Sequence, residues 1–125
     1  MNIRIKLSKI NLVFYLILNS IVIFYIAEAS ENFVALIDKR LSKNGTVLDL
    51  GGLKIGISGA KKLAKMEKLT KVKVLLLQGN KIQYKGMKAL AKSSFVKNVK
   101  QLDLWGNYLG DLGLRALIES SNFEA

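Results

Sequence analysis

The chain has 125 residues, half of them hydrophobic, so it can hold one compact domain and an appendage. It contains no Cys, His or Pro, which excludes disulfides, thiolate nucleophiles and Cys-based metal sites, and removes the commonest general base and metal ligand. A formal charge of +11 raises nucleic acid or an anionic membrane as partners, a question that the placement of the cations has to decide.

Residues 1–29 read as a separate object. Arg4, Lys6 and Lys9 make a basic start, an apolar run follows from Ile10 to Ala27 with only Asn11, Asn19 and Ser20 interrupting it, and Ala27-Glu28-Ala29 closes it. Basic start, apolar middle and small-x-small end form the layout of a secretory signal peptide, with cleavage expected after Ala29. The alternative is an uncleaved anchor, because 18 apolar residues lie near the lower limit for a membrane span. Both readings take the rest of the chain out of the cytosol, to a secreted or cell-envelope location.

From Ser30 to Gly45 the pattern predicts a helix. Ser30 suits an N-cap and Glu31 a first turn, while Phe33, Leu36, Ile37 and Leu41 make an apolar stripe. Lys39, Arg40 and Lys43 precede an Asn44-Gly45 stop.

Beyond this point the chain repeats itself with a period of 27. Leu48, Leu75 and Leu102 share a column, as do Leu50, Leu77 and Leu104. Ile55, Ile82 and Leu109 align, then Gly59, Gly86 and Gly113, then Leu63, Leu90 and Leu117, and finally Leu69, Val96 and Phe123. The units run 45–71, 72–98 and 99–125 without insertion. Leu-x-Leu is a short strand with both leucines on one face. Gly-Asn breaks it, and Gly59, Gly86 and Gly113 are each expected to open a helix, in the second copy one with Met87, Leu90 and Ala91 inward. A single strand–loop–helix unit cannot bury its leucines alone, so units must stack. Leu36 lies 27 before Leu63, so residues 30–44 read as a helical half-unit covering the first end. No comparable cover follows the third unit. The strand around Leu102 and Leu104 is therefore expected to leave an open sheet edge, for a docking partner, for pairing with a second chain, or as the mark of descent from a longer array.

The pattern Leu-x-Leu-x-x-Asn-x-(Leu/Ile)-x-x-x-Gly-x-x-x-Leu over residues 45–125 resembles the leucine-rich repeats, and its 27-residue length resembles the ribonuclease-inhibitor-like subclass. The resemblance implies an α/β fold: a short right-handed β-α solenoid with a three-stranded parallel sheet and helices on the convex side, here behind a hydrophobic leader helix. It implies that Asn80 and Asn107 turn inward and satisfy loop backbone groups, a role for which the first copy has Leu53 instead. It also implies a non-enzymatic module that binds another protein with its concave face.

Residues 30–125 hold 17 Lys and Arg against 8 Asp and Glu. Lys61, Lys62, Lys65 and Lys68, then Lys85, Lys88 and Lys92 with Lys81 before them, step by three and four along the helices opposite the leucines. They read as a solvated face, with weak adhesion to an anionic surface as the functional alternative. Aromatics are not interleaved with them, which argues against specific nucleic-acid recognition.

The strand positions between the leucines face the other way. They are Val47, Asp49 and Gly51, then Val74, Leu76 and Gln78, then Gln101, Asp103 and Trp105. Val74, Leu76 and Trp105 are unusual on an uncovered sheet face, and Trp is a frequent interface anchor. The candidate partner-binding residues are therefore Val47, Asp49, Val74, Leu76, Gln78, Gln101, Asp103 and Trp105, with intramolecular packing of Trp105 over its loop as the alternative. Asp49 and Asp103 would lie roughly 9 to 10 Å apart across two strand spacings, wider than the about 5 to 5.5 Å of a retaining glycosidase pair, and read as solvated strand residues. No Gly-rich stretch has the spacing of a phosphate loop. No catalytic residue, cofactor or metal site is expected.

Overall fold

The computed structural model describes residues 9–123, so Arg4 and Lys6 of the basic start and the last two residues of the third unit lie outside it. The order of elements is α1 (Lys9–Arg40), β1 (Val47–Asp49), α2 (Gly56–Leu63), a 3-10 turn (Glu67–Lys71), β2 (Val74–Leu76), α3 (Gln83–Ala91), a 3-10 turn (Ser94–Val96), β3 (Gln101–Asp103) and α4 (Gly110–Ile118). The chain divides into two compact units, residues 1–36 and 37–125.

Over its described residues the first unit is helical. Side chains from Leu12 to Ile26 are exposed all around the helix, and the stretch beginning at Asn11 is long and apolar enough to cross a membrane by length and composition. Eighteen residues at 1.5 Å each span about 27 Å, close to the hydrocarbon thickness. Its two mid-run polar side chains are satisfied within the helix: Asn19 Nδ2 donates to Tyr15 O at 2.8 Å and Ser20 Oγ to Leu16 O at 2.9 Å. Back-bonding of this kind lets a polar residue sit in an apolar medium without an unpaired donor. This apolar N-terminal helix is compatible with a signal peptide or an anchor. The expected cap at Ser30 is not one, because α1 runs through that position unbroken to Arg40. Ala27-Glu28-Ala29, just before Ser30, are strong helix formers, and no Gly or Pro stands there to end a helix.

The second unit is a mixed helix and strand structure, consistent with a short leucine-rich-repeat-like α/β fold. Three strands form a parallel sheet in the order β1-β2-β3, with Val47 opposite Val74 and Val74 opposite Gln101. Every step across the sheet is thus 27 residues. The helices follow the same order, α2 packing on α3 and α3 on α4. Between sheet and helices lie Leu48, Leu50, Leu63, Leu69, Leu75, Leu77, Ile82, Met87, Leu90 and Val96, all fully or almost fully buried. Ile37 is buried too. Leu41 makes an antiparallel bridge to Leu48, so the β1 edge is occupied by the segment that leaves α1.

The expected helix starts are corrected here. The glycines at 59, 86 and 113 do not open their helices, which begin three residues earlier at Gly56, Gln83 and Gly110. At Gly86 and Gly113 the role is close approach. A Cβ on Gly86 would lie 2.5 Å from Ile82 Cγ2 and 2.9 Å from Ala60 Cβ on the neighbouring helix, and one on Gly113 would lie 2.7 Å from Leu109 Cβ. Leu102, Leu104, Leu109 and Leu117 are only half-buried, because among the described residues no segment follows to cover them.

The real helix starts are set by backbone handedness. In each loop three alternate residues have positive φ: Gly52, Lys54 and Gly56; Gly79, Lys81 and Gln83; Gly106, Tyr108 and Gly110. Gln83 holds φ +57° in a column otherwise filled by glycine, at a cost of about 1–2 kcal/mol for an L-residue.

Urea unfolding should show Gly86→Ala losing about 1–3 kcal/mol by overpacking. Gly52→Ala, which has left-handed φ but nothing within 4 Å of the added carbon, should lose only about 1 kcal/mol. Equal losses at the two positions would contradict the close helix packing described for Gly86.

Candidate functional site

The site rests on the loops that follow the strands, and asparagine builds those loops. Asn80 is fully buried. Its Nδ2 donates to Leu50 O and Leu77 O at 2.8 Å each and to Gln78 O at 3.2 Å, while its Oδ1 accepts from Ile55 N at 3.2 Å. Asn107 repeats this one segment on. Its Nδ2 donates to Leu77 O, Leu104 O and Trp105 O, and its Oδ1 accepts from Asn80 N and Ile82 N. Each side chain thus ties its own loop to the preceding one, as the resemblance implied. Leu53, in the first loop, is half-buried, and its amide turns to Leu50 O.

Main-chain bonds run alongside. Leu50, Gly52 and Gly56 donate to the carbonyls of Leu76, Gln78 and Asn80, and Leu77, Gly79 and Gln83 donate to those of Asp103, Trp105 and Asn107, all at 2.8 or 2.9 Å.

A second set of side-chain ties joins the far ends of the helices. Ser93 Oγ donates to Ala64 O at 2.6 Å and Ser120 Oγ to Ala91 O at 2.7 Å. Each hydroxyl also accepts from the amide two residues on, Phe95 N or Asn122 N. Asn122 Nδ2 adds bonds to Ala91 O and Ser93 O. Ser93 and Ser120 share a column, and that shared serine was the available signal, hidden among apolar columns.

On this frame the predicted partner-binding residues occupy alternate strand positions and the residue two beyond each strand. Val47, Val74, Leu76 and Asp103 are half-buried, and Asp49 and Gln101 are exposed. Trp105 is 81 % exposed, so it does not fold over its loop. Parallel pairing sets Val47, Val74 and Gln101 in one row and Asp49, Leu76 and Asp103 in the next.

Three of these residues have structural work that sequence reasoning missed. Asp49 Oδ1 accepts from Gly51 N at 2.9 Å, and Asp103 Oδ1 accepts from Trp105 N at 3.0 Å. These Asx turns shape the strand exits, so both carboxylates are engaged locally rather than freely solvated. Gln78 folds back over Gly51, where an added Cβ would meet Gln78 Nε2 at 2.4 Å. Its Oε1 is buried and has no hydrogen-bond partner among the described residues. An Asp two residues before a Gly or Trp at a strand end was the sequence signal for the turns, whereas the Gln78 contact had none.

Of the lysines expected along the helices, Lys61, Lys62, Lys85 and Lys88 lie on α2 and α3, whereas Lys65 and Lys92 lie past the helix ends and Lys68 in the 3-10 turn; all are exposed, as is Lys81. Lys68 pairs with Asp38, and Lys88 Nζ lies 3.2 Å from Tyr84 Oη and 5.6 Å from its ring centroid. The partly exposed Lys68 pair contributes little to stability.

No curated protein and no solved structure matched the chain. Residues 68–91, which carry β2, Asn80 and α3, match a leucine-rich repeat family model, so this stretch of the chain is similar to the leucine-rich repeats.

Proposed function

We propose that the chain is an exported, non-enzymatic leucine-rich repeat module that binds another protein through the sheet face opposite its leucines, its three 27-residue repeats forming a short solenoid with that face concave. Leucine-rich repeats generally serve as protein-interaction modules, and the match over residues 68–91 supports that class of function. The observation that carries the reading is Trp105, the sole tryptophan, with 81 % of its surface exposed beside the half-buried Val74 and Leu76 columns. A large aromatic left in water contributes nothing to the core, and at interfaces tryptophan is the residue most enriched among energetic anchors. The partner is a host protein or one at the cell surface. The N-terminal helix supplies the export signal, cleaved after Ala29, with membrane anchoring as the alternative.

A second reading has its own observation. Eight lysines on or beside α2 and α3 are exposed on a chain of net charge +11, which supports weak adhesion to an anionic surface. Salt separates the two, because exposed charges are screened over about 8 Å at physiological ionic strength while a buried aromatic contact is not.

Pull-downs from host or envelope extracts, with wild type and Trp105→Ala side by side, should recover a protein with the wild type alone. The affinity should fall about 30-fold on substitution, equivalent to about 2 kcal/mol. Recovery that ignores Trp105→Ala but vanishes in moderate salt would establish the electrostatic reading instead. Intact-mass measurement of the exported protein should place its first residue at Ser30; a mass that still includes residues 1–29 would establish the anchor.

A further inference from the structure

The chain enters β2 and β3 through short runs in which inward and outward residues alternate. Val72 and Val99 are buried, so Lys71 and Lys73 around the first, and Asn98 and Lys100 around the second, are turned out to solvent. The backbone then sets outward residues side by side. Lys73 N donates to Thr46 O at 2.8 Å, and Lys100 N donates to Lys73 O at 2.7 Å. Thr46, Lys73 and Lys100 thus stand in one row, each one residue before a paired strand position, at steps of about 4.8 Å. Like charges set opposite each other in this way repel. Among the described residues Lys71, Lys73 and Lys100 have no carboxylate partner, whereas Lys68 has Asp38.

The three lysines line a cavity of about 420 Å³, together with Asn44, Thr46, Thr70 and Asn98 and with no acidic residue in the wall. The neutral groups of that wall are held by bonds of their own. Asn44 Oδ1 accepts from Ser42 Oγ and Thr46 Oγ1 at 2.8 Å each and from Thr46 N at 3.2 Å. Thr46 N can only donate, which fixes the orientation of the carboxamide. Thr70 Oγ1 donates to Glu67 O, and Asn98 Nδ2 donates to Thr70 O, both at 2.7 Å. The stem of Lys71 lies along Gly45, where an added Cβ would stand 4.0 Å from its Cβ and its Cδ. The wall is therefore built before any ligand arrives, and its uncommitted charge is all positive.

We propose that this cavity binds the phosphate group of a phosphate monoester, held by Lys71, Lys73 and Lys100. Such a group carries about two negative charges on three acceptor oxygens, so one ligand relieves the repulsion among all three cations. A carboxylate, with one charge and two oxygens, leaves it largely in place. Ammonium groups act here as point charges and need no planar partner. The volume falls within the range of about 300–1,000 Å³ usual for small-molecule sites, so the ester's alcohol part has room beside the phosphate. A soluble phosphate ester and a lipid headgroup ending in phosphate share this chemistry. The site lies at the opposite end of the strands from Trp105 and uses none of the lysines on or beside α2 and α3, so it is separate from both binding readings above.

The test is an NMR titration of the full chain in non-ionic detergent micelles at constant ionic strength, so that screening stays fixed. The probes are inorganic phosphate, glycerol phosphate, and phosphatidic acid doped into the same micelles. The amides of Thr46, Lys73 and Lys100 should shift and saturate. The double variant Lys73→Gln, Lys100→Gln should weaken binding at least about tenfold. The double variant Lys61→Gln, Lys88→Gln removes the same charge from α2 and α3 and should leave binding within about twofold. All four positions are exposed, and unchanged amide shifts elsewhere check that each variant keeps its fold. Saturation by the soluble phosphates without the doped lipid supports a soluble ester as the ligand, and saturation by the doped lipid supports a headgroup. The absence of a saturable shift with every probe overturns the proposal. Equal weakening by the two double variants also overturns it, in favour of diffuse attraction to a basic chain.

Discussion

The carboxamide of Asn80 is the interaction on which the loops depend. A strand that turns sharply into a helix has to bury amides and carbonyls that neither element can pair, and each costs about 1–3 kcal/mol if left alone. One planar group with two donors and an acceptor satisfies the carbonyls of its own loop and those of the loop before it. No other side chain of that size offers both functions, since a carboxylate cannot donate and a hydroxyl has too few sites. The asparagine therefore dictates the spacing between segments, and the leucines pack at the separation it imposes.

The same loops explain why glycine recurs. Left-handed residues at alternate places fold each loop tightly enough for neighbouring loops to touch. Gly106 shows this, because a Cβ there would stand 3.5 Å from Gly79 N. Lys54, Lys81 and Tyr108 hold positive φ without being glycine, a strain sustained by hydrogen bonds to neighbouring loops, on both sides for the loop of Lys81 and on one side for those of Lys54 and Tyr108. Trp105 and Tyr108 sit on this rigid loop, so any partner meets aromatics on a prepared scaffold with little ordering left to do.

The apolar columns and Asn80 and Asn107 were legible because period-two and period-27 patterns record which positions face inward. Leu48, Leu75, Leu63 and Leu90 are where those patterns say. What was illegible depends on neighbours instead of pattern. Gly86 looks like a helix start until the nearness of Ala60 shows why a side chain is excluded. Leu102 and Leu104 carry the same letters as Leu75 and Leu77 yet remain half-exposed, since burial requires a following segment that the letters themselves do not supply. Asp49 and Asp103 resemble solvated strand residues because an Asx turn needs only one bond two residues away. Of the proposed binding face, the exposure of Trp105 was read correctly, whereas the inward fold of Gln78 onto Gly51 left no trace in the sequence.

The two ladders sit at opposite ends of the second and third segments, asparagine where the strand becomes the loop and serine where the helix ends. Ser93 follows Asn80 by 13 positions, and Ser120 follows Asn107 by the same number. With both ends clamped to the previous segment, the chain between them behaves as a part cut to gauge. One inserted residue could not be absorbed by sliding, because it would rotate α3 by about 100° about its axis and turn Leu90 away from the sheet while Asn80 and Ser93 stayed pinned. Length changes in this protein are thus quantised: a whole 27-residue step preserves every bond, and any smaller step breaks one clamp or the other.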